Sequence, residues 1–233
     1  TAQSETQDGS ITTIGTFTHE YGHALGLPDL YDTDGSSEGA GRWSLMASGS
    51  WNSVTRAGDS PAHLDPWSKS KLGWATPTVV SGTLTAETVT QAATAADVYQ
   101  LLDGTPSAGE YFLVENRQKA GFDAGLPGVG LLIWHVDAGV STNRNECYPG
   151  GPSCSTQHYK VALVQADDIF DLEKGTNRGD AGDPYPGTTN NRTFSAASAP
   201  SSDLYSGGLS NAGVTAISDA GAAMTATLTA IYV

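Results

Sequence analysis

The stretch Thr18-His-Glu-Tyr-Gly-His-Ala-Leu-Gly-Leu-Pro-Asp-Leu-Tyr31 carries the chemistry of this chain. His19 and His23 stand four apart, so on a helix they share a face and can offer two imidazole nitrogens to one zinc ion. Glu20 lies beside the first of them, placed to take a proton from a water activated by the metal instead of binding the metal itself. Gly26 lets the backbone leave the helix in a left-handed turn, and Asp29 follows three residues later. Such a turn can fold Asp29 back as a third ligand; a plain Pro-Asp turn is the other reading. Two imidazoles and one carboxylate leave a fourth zinc position open, which a catalytic site needs and a structural site lacks.

Working outward, a helix is expected over residues 11–25, capped by Asp8 or Ser10, ended at Gly26 and followed by Pro28. Loop rich in Gly, Ser and Asp runs to about residue 60. A second helix is expected over residues 63–72, where Leu64, Trp67, Lys71 and Trp74 form one face. From Thr76 the pattern turns to strands, over 78–90, 98–102, 111–116, 129–136, 160–165, 214–217 and 224–233, with turn residues between most of them. That is the pattern of a β-sandwich. The expected fold class is therefore α+β, with a zinc-helix catalytic part at 1–75 and a β-rich, sandwich-like domain at 76–233.

Composition narrows the function. Eleven Lys+Arg against 25 Asp+Glu give a net charge of −14, which excludes a nucleic-acid-binding surface and favours solubility, a basic partner or bound cations. No apolar run approaches the ~20 residues of a membrane-spanning helix, so no membrane insertion is expected. No secretory leader is recognised, and the chain reads as a mature or processed form. Cys147 and Cys154 flank a turn-rich loop that can bring them into bonding range, which favours an exported, disulfide-bonded protein over a cytosolic dithiol.

The string His-Glu-Xaa-Xaa-His-Xaa-Xaa-Gly-Xaa-Xaa-Asp resembles the metzincin signature in its aspartate form. A longer likeness is to the immune inhibitor A-like family of secreted bacterial zinc metallopeptidases. It runs through His19-Glu-Tyr-Gly-His-Ala-Leu-Gly-Leu-Pro-Asp-Leu-Tyr-Asp32 and Trp43-Ser-Leu-Met-Ala-Ser-Gly-Ser-Trp51. It continues at Leu72-Gly-Trp74, Gly130-Leu-Leu-Ile-Trp-His-Val-Asp137 and Asn177-Arg-Gly-Asp-Ala-Gly-Asp-Pro-Tyr-Pro-Gly187. The resemblance implies a secreted, extracellular zinc endopeptidase acting on protein or peptide substrate. It also implies that Met46 occupies the tight turn that supports the histidine rings from beneath the zinc; a core gap-filler is the blander reading. Metzincins place a sheet and a backing helix before the zinc helix, whereas eighteen residues precede His19 here. The resemblance thus implies either a reduced fold or a separate N-terminal fragment of the same precursor as partner. The alternative function is a non-catalytic β-sandwich binding module carrying an incomplete or inactive site.

Two acidic stretches suggest Ca²⁺, since oxygen ligands without Cys or His favour that ion. Asp32, Asp34 and Glu38 have calcium-loop spacing without the twelve-residue EF-hand pattern, so a solvated turn is the favoured reading over a calcium loop. Asp180 and Asp183 follow Asp167, Asp168, Asp171 and Glu173. His135, inside an apolar strand, reads as a hydrogen-bonded core histidine. Core packing is expected for Trp43, Trp51, Trp67 and Trp74.

Overall fold

A computed structural model describes residues 6–7, 9–102 and 109–231. Strands β1 (Thr6–Gln7) and β2 (Ser10–Ile11) pair in a short hairpin, so Ser10 caps no helix; Asp8 lies outside the described residues. Helix α1 spans Ile14–Ala24, shorter than expected at its start. Its N-cap, Thr13, makes no side-chain capping bond; Thr13 Oγ1 donates to Ala57 O at 2.6 Å, and Gly15 N–H donates to Gly58 O at 3.0 Å. The first turn is therefore satisfied by a distant loop instead of a local side chain. The other end behaves as its sequence demands. Gly26 adopts φ +93°, its N–H donates to His23 O, and Leu27 N–H reaches back to Gly22 O at 3.0 Å. This is a Schellman closure, which only a residue tolerant of positive φ makes without strain. It drives Leu27 into the core and turns Asp29 back toward the helix.

Short 3₁₀ turns at Gly41–Trp43 and Ser48–Trp51 punctuate the loop that follows. Helix α2 (Pro66–Lys71) begins where Asp65 accepts Ser68 N–H at 2.8 Å, with Pro66 in the first turn. Leu64 and Trp67 are buried as expected, but Trp74 is exposed. Gly73, at φ +71°, breaks the helical register just before it. Trp51 is exposed too, so core packing holds for Trp43 and Trp67 alone.

Eight further strands follow: β3 (Thr78–Val79), β4 (Gly82–Thr90), β5 (Tyr99–Leu101), β6 (Glu110–Arg117), β7 (Gly130–Asp137), β8 (Val161–Val164), β9 (Ala212–Thr215) and β10 (Ala223–Ala230). They form a five-stranded sheet in the order β3-β5-β6-β7-β8 and a three-stranded sheet in the order β4-β10-β9. All pairings are antiparallel except β3 with β5. Few helices and mostly sheet make the fold α+β.

Strands β6 and β7 explain the layering. Their near-continuous apolar run signals burial on both faces, and side chains alternate between two cores. Tyr111, Leu113, Leu132 and Trp134 pack with Leu27, Leu30, Trp43, Met46 and Trp67. Phe112, Val114, Leu131 and Ile133 pack instead with Val89, Val214, Met224 and Leu228 of the smaller sheet. The change near Thr76 is one from loops and short helices to strands, and the first of these cores draws on both sides of it.

At the end of β6, Arg117 is fully buried and clamps two carboxylates. It bonds Asp123 through two nitrogens, at 2.6 and 2.7 Å, and Glu115 at 3.0 Å. Its Nη1 also donates to Trp43 O at 3.2 Å, while Lys69 Nζ of α2 reaches Glu115 at 3.2 Å. Burial, the largest single influence, would raise the Asp123 carboxyl, but the charge and hydrogen bonds of Arg117, with His63 acting in the same sense, together hold it below the ordinary carboxylate range. This network fastens the sheet to the loop that underlies α1.

Candidate metal centre and cleft

Helix α1 presents His19 and His23 side by side, their rings 4.7 Å apart and nearly perpendicular. Each ring is aimed by a backbone carbonyl: His19 Nδ1 donates to Leu45 O at 2.8 Å and His23 Nδ1 donates to Leu27 O at 2.9 Å. A carbonyl can only accept, so both Nδ1 atoms carry a proton, and the tautomer this selects is the one whose lone pair sits on Nε2. Those two Nε2 atoms lie 3.2 and 3.1 Å from the same oxygen, Oδ1 of Asp29. That oxygen is buried and has no hydrogen-bond donor. Three acceptors thus converge within 4.8 Å of one another. An arrangement of lone pairs without donors is repulsive unless a cation sits among them, and two nitrogens with one carboxylate suit zinc.

Met46 lies beneath. Its Sδ is so close to Gly22 that a β-carbon there would stand 2.4 Å from it, and Met46 O accepts Leu30 N–H at 2.8 Å. The turn is held by buried Asp65, which accepts Ser44 Oγ at 2.7 Å, while Ser44 Oγ in turn accepts Met46 N–H at 3.1 Å. Burial raises the Asp65 carboxyl. The same turn supplies Leu45 O, so its shape sets the His19 ring orientation. Neither Ser44 nor Asp65 is recognisable from spacing, because the turn brings them together from 21 residues apart.

Glu20 is exposed beside His19 and belongs to a cleft of about 480 Å³. Tyr31, Trp51 and Arg178 share that cleft. The Tyr31 ring stacks on His19 with 6.3 Å between centres, and burial, followed by the Asp29 charge, raises its phenol. Tyr31 falls inside the quoted family string but carries no role in the sequence reading. Trp51, expected in the core, is instead a cleft wall.

Of the remaining expected sites, Asp32, Asp34 and Glu38 do not meet at one point. Asp32 is filled by donors: Asp34 N–H at 3.0 Å, Ser36 Oγ at 2.8 Å, Ser37 N–H at 2.9 Å and Ser37 Oγ at 2.7 Å. Asp34 pairs with Arg144 and Glu38 with Arg178, each at 3.1 Å. This loop has the organisation of a self-satisfied turn. Asp180 and Asp183 do converge, together with Asp167. Cys147 and Cys154 form a disulfide with a Cα–Cα distance of 5.0 Å. His135 is a hydrogen-bonded core histidine as expected: its Nε2 lies 2.9 Å from Glu110, and its ring stacks on Tyr205 at 4.0 Å.

Residues 2–75 match the family described as immune inhibitor A peptidase M6, catalytic domain. This stretch is similar to that family. Over 67 residues, 28% of this chain, it is 45% identical to "Immune inhibitor A" of Bacillus thuringiensis subsp. alesti, of which the match spans 9%. Over 60 residues, 25% of this chain, it is 47% identical to "Pre-pro-metalloprotease PrtV" of Vibrio cholerae serotype O1 (strain M66-2), spanning 6% of that protein. The chain thus spans under a tenth of the relatives it matches. The matched segment contains every member of the His19, His23 and Asp29 cluster, together with Glu20 and Met46. No helix among the described residues is long and apolar enough to cross a membrane.

Proposed function

We propose that this chain is the catalytic part of a secreted zinc-dependent endopeptidase. The observation that carries the reading is the convergence of two imidazole lone pairs on a donor-less carboxylate oxygen, with Glu20 beside it at an open cleft. His19, His23 and Asp29 would hold the zinc, which when bound polarises a carbonyl and makes a water easier to deprotonate. Glu20 removes a proton from the attacking water and returns it to the leaving amine. Leu45 O and Leu27 O keep both imidazoles in the tautomer that leaves Nε2 free. The cleft between Tyr31 and Trp51 admits an extended peptide. Metal content and cleavage of casein with and without a chelator test the reading together. The parent should carry one zinc and lose activity reversibly with chelator. Asp29→Ala should lose at least tenfold in zinc affinity along with activity, whereas Met46→Leu should keep zinc and cost under about 1.5 kcal/mol. Zinc bound without cleavage would favour the non-catalytic binding module; zinc held undiminished by Asp29→Ala would reject the ligand set.

The outer side of α1 supports the expected partner. Ile14, Phe17, Tyr21 and Leu25 form an exposed apolar stripe bordered by Trp74 and Phe122. A helix that buries one face and leaves the other apolar fits a layer covered from both sides. A separate N-terminal fragment of the same precursor would cover it. Native material should then yield a companion polypeptide on intact-mass analysis, and Tyr21→Glu should release it. A chain isolated alone, with its solution size unchanged by Tyr21→Glu, would count against this. The same mass measurement tests export, because the Cys147–Cys154 bond expected of an oxidising compartment makes the chain two hydrogens lighter than its reduced form.

A further inference from the structure

A second set of ligand atoms converges away from the cleft. Asp167 lies just beyond β8, and Asp180 and Asp183 lie on the loop that carries Arg178 into the cleft wall. One carboxylate oxygen from each falls within 4.8 Å of the other two. Close approach of three acids is common without an ion, so the decisive observation is at Asp183. That residue is 1% exposed. Its Oδ2 accepts Trp43 Nε1–H at 2.8 Å and Asp180 N–H at 3.0 Å, while Oδ1 is buried with no donor at all. A buried, unpartnered carboxylate oxygen facing two more carboxylates is stable only with compensation, and no nitrogen or sulfur ligand belongs to the cluster.

The backbone is shaped for close approach. A β-carbon at Gly182 would stand 2.1 Å from Asp167 Oδ2 and 3.0 Å from Asp180 Oδ1. Only glycine lets these carboxylates close over the chain at that point. Asp167 is further fixed by Ile169 N–H at 3.1 Å, and Asp180 by Gly182 N–H at 2.6 Å and Asn177 Nδ2 at 2.9 Å. Hard oxygen donors in an irregular arrangement suit Ca²⁺, which tolerates such coordination, better than Mg²⁺, which demands a near-ideal octahedron.

We propose that Asp167, Asp180 and Asp183 hold a structural calcium ion that pins the loop 177–183, whose Arg178 lines the zinc cleft, against the chain ahead of Met46. Two bonds join the loop to that chain: Asp183 accepts Trp43 Nε1–H, and Arg42 N–H donates to Arg178 O at 2.7 Å. Trp43 stands three residues before Met46. The ion would thus link the β-rich part to the Met46 turn without touching the zinc ligands, and its binding does not depend on the peptidase reading.

Calcium titration of the full chain, freed of calcium and carrying one zinc, tests this by calorimetry and thermal melting. The expected result is one saturable site with a Kd between about 10⁻⁵ and 10⁻³ M, with a melting temperature that climbs as calcium is added. Mg²⁺ should bind at least tenfold more weakly. Asp167→Asn keeps an acceptor for Ile169 N–H and should weaken calcium binding tenfold or more while zinc stays at one per chain. Asp183→Asn should do the same. If that buried variant does not fold, Gly182→Ala, which places a methyl group between the carboxylates, takes its place. Asp34→Asn should leave calcium binding unchanged. Absence of saturable binding up to about 10 mM, or equal affinity in the parent and Asp167→Asn, overturns the assignment.

Discussion

Glu20→Gln should abolish proteolysis and leave zinc bound at one per chain. Glu20 shares the cleft with His19 but is outside the cluster of converging ligand atoms, so amidation removes a proton carrier and no ligand. Gln keeps the size and the hydrogen-bonding reach of the side chain. The whole effect should therefore appear in the chemical step. General acid–base work is worth about 10²–10⁴-fold, or roughly 3–5 kcal/mol of barrier. Steady-state cleavage of a fluorogenic peptide, beside elemental analysis for zinc, measures both halves. Activity within a few fold of the parent would remove Glu20 from the mechanism. Loss of zinc would instead make it a ligand, contrary to the geometry.

Arg117→Met should be the most damaging single change to stability outside the cleft. It removes the cation that compensates Glu115 and Asp123, both fully buried, and leaves Lys69 alone to face Glu115. Breaking such a network by removing one partner costs about 3–5 kcal/mol, because the stranded charges remain desolvated. For a chain of this size that is roughly 6–20 °C in melting temperature. The loss should also depend on pH. In the parent, the depressed Asp123 carboxyl adds stability above the unfolded carboxylate range, near 3.9, and that stability fades as pH falls through the folded value. In the variant the same carboxyl has lost its cation and binds a proton more readily, so acid relieves the strain. The gap between parent and variant should therefore narrow from pH 7 toward pH 4. A gap under about 1 kcal/mol at pH 7, or one independent of pH, would show that the network is not charge-compensated as drawn.

The cluster of His19, His23 and Asp29 was legible because its logic is local. Four-residue spacing on a helix places His19 and His23 together whatever surrounds them, and Gly26 closes the helix through bonds within five residues. The same holds for β6 and β7, whose near-continuous apolar run signals burial on both faces. Asp29 is the limiting case: Gly26 and Pro28 permit its return to the helix, while Leu30 N–H bonding to Met46 O holds it there.

Features that depend on contacts between distant segments were not legible. Ser10 has the right chemistry to cap α1, yet the cap falls at Thr13, because Ala57 and Gly58 supply the helix start with acceptors from another loop. Trp43 and Trp51 each end a 3₁₀ turn, yet one is buried and the other exposed, so the surrounding chain decides between them, while the left-handed Gly73 breaks the helix ahead of exposed Trp74. Asp32, Asp34 and Glu38 match Asp180 and Asp183 as acidic runs. What separates the two is donor supply, since Ser36, Ser37, Arg144 and Arg178 satisfy the first set while Asp183 Oδ1 is left bare. Sequence by itself determined which residues can bind metal, since ligand chemistry and short-range spacing are written in it. Tertiary structure alone decided which carboxylates are left without donors, because a hydrogen-bond partner can arrive from anywhere along the chain.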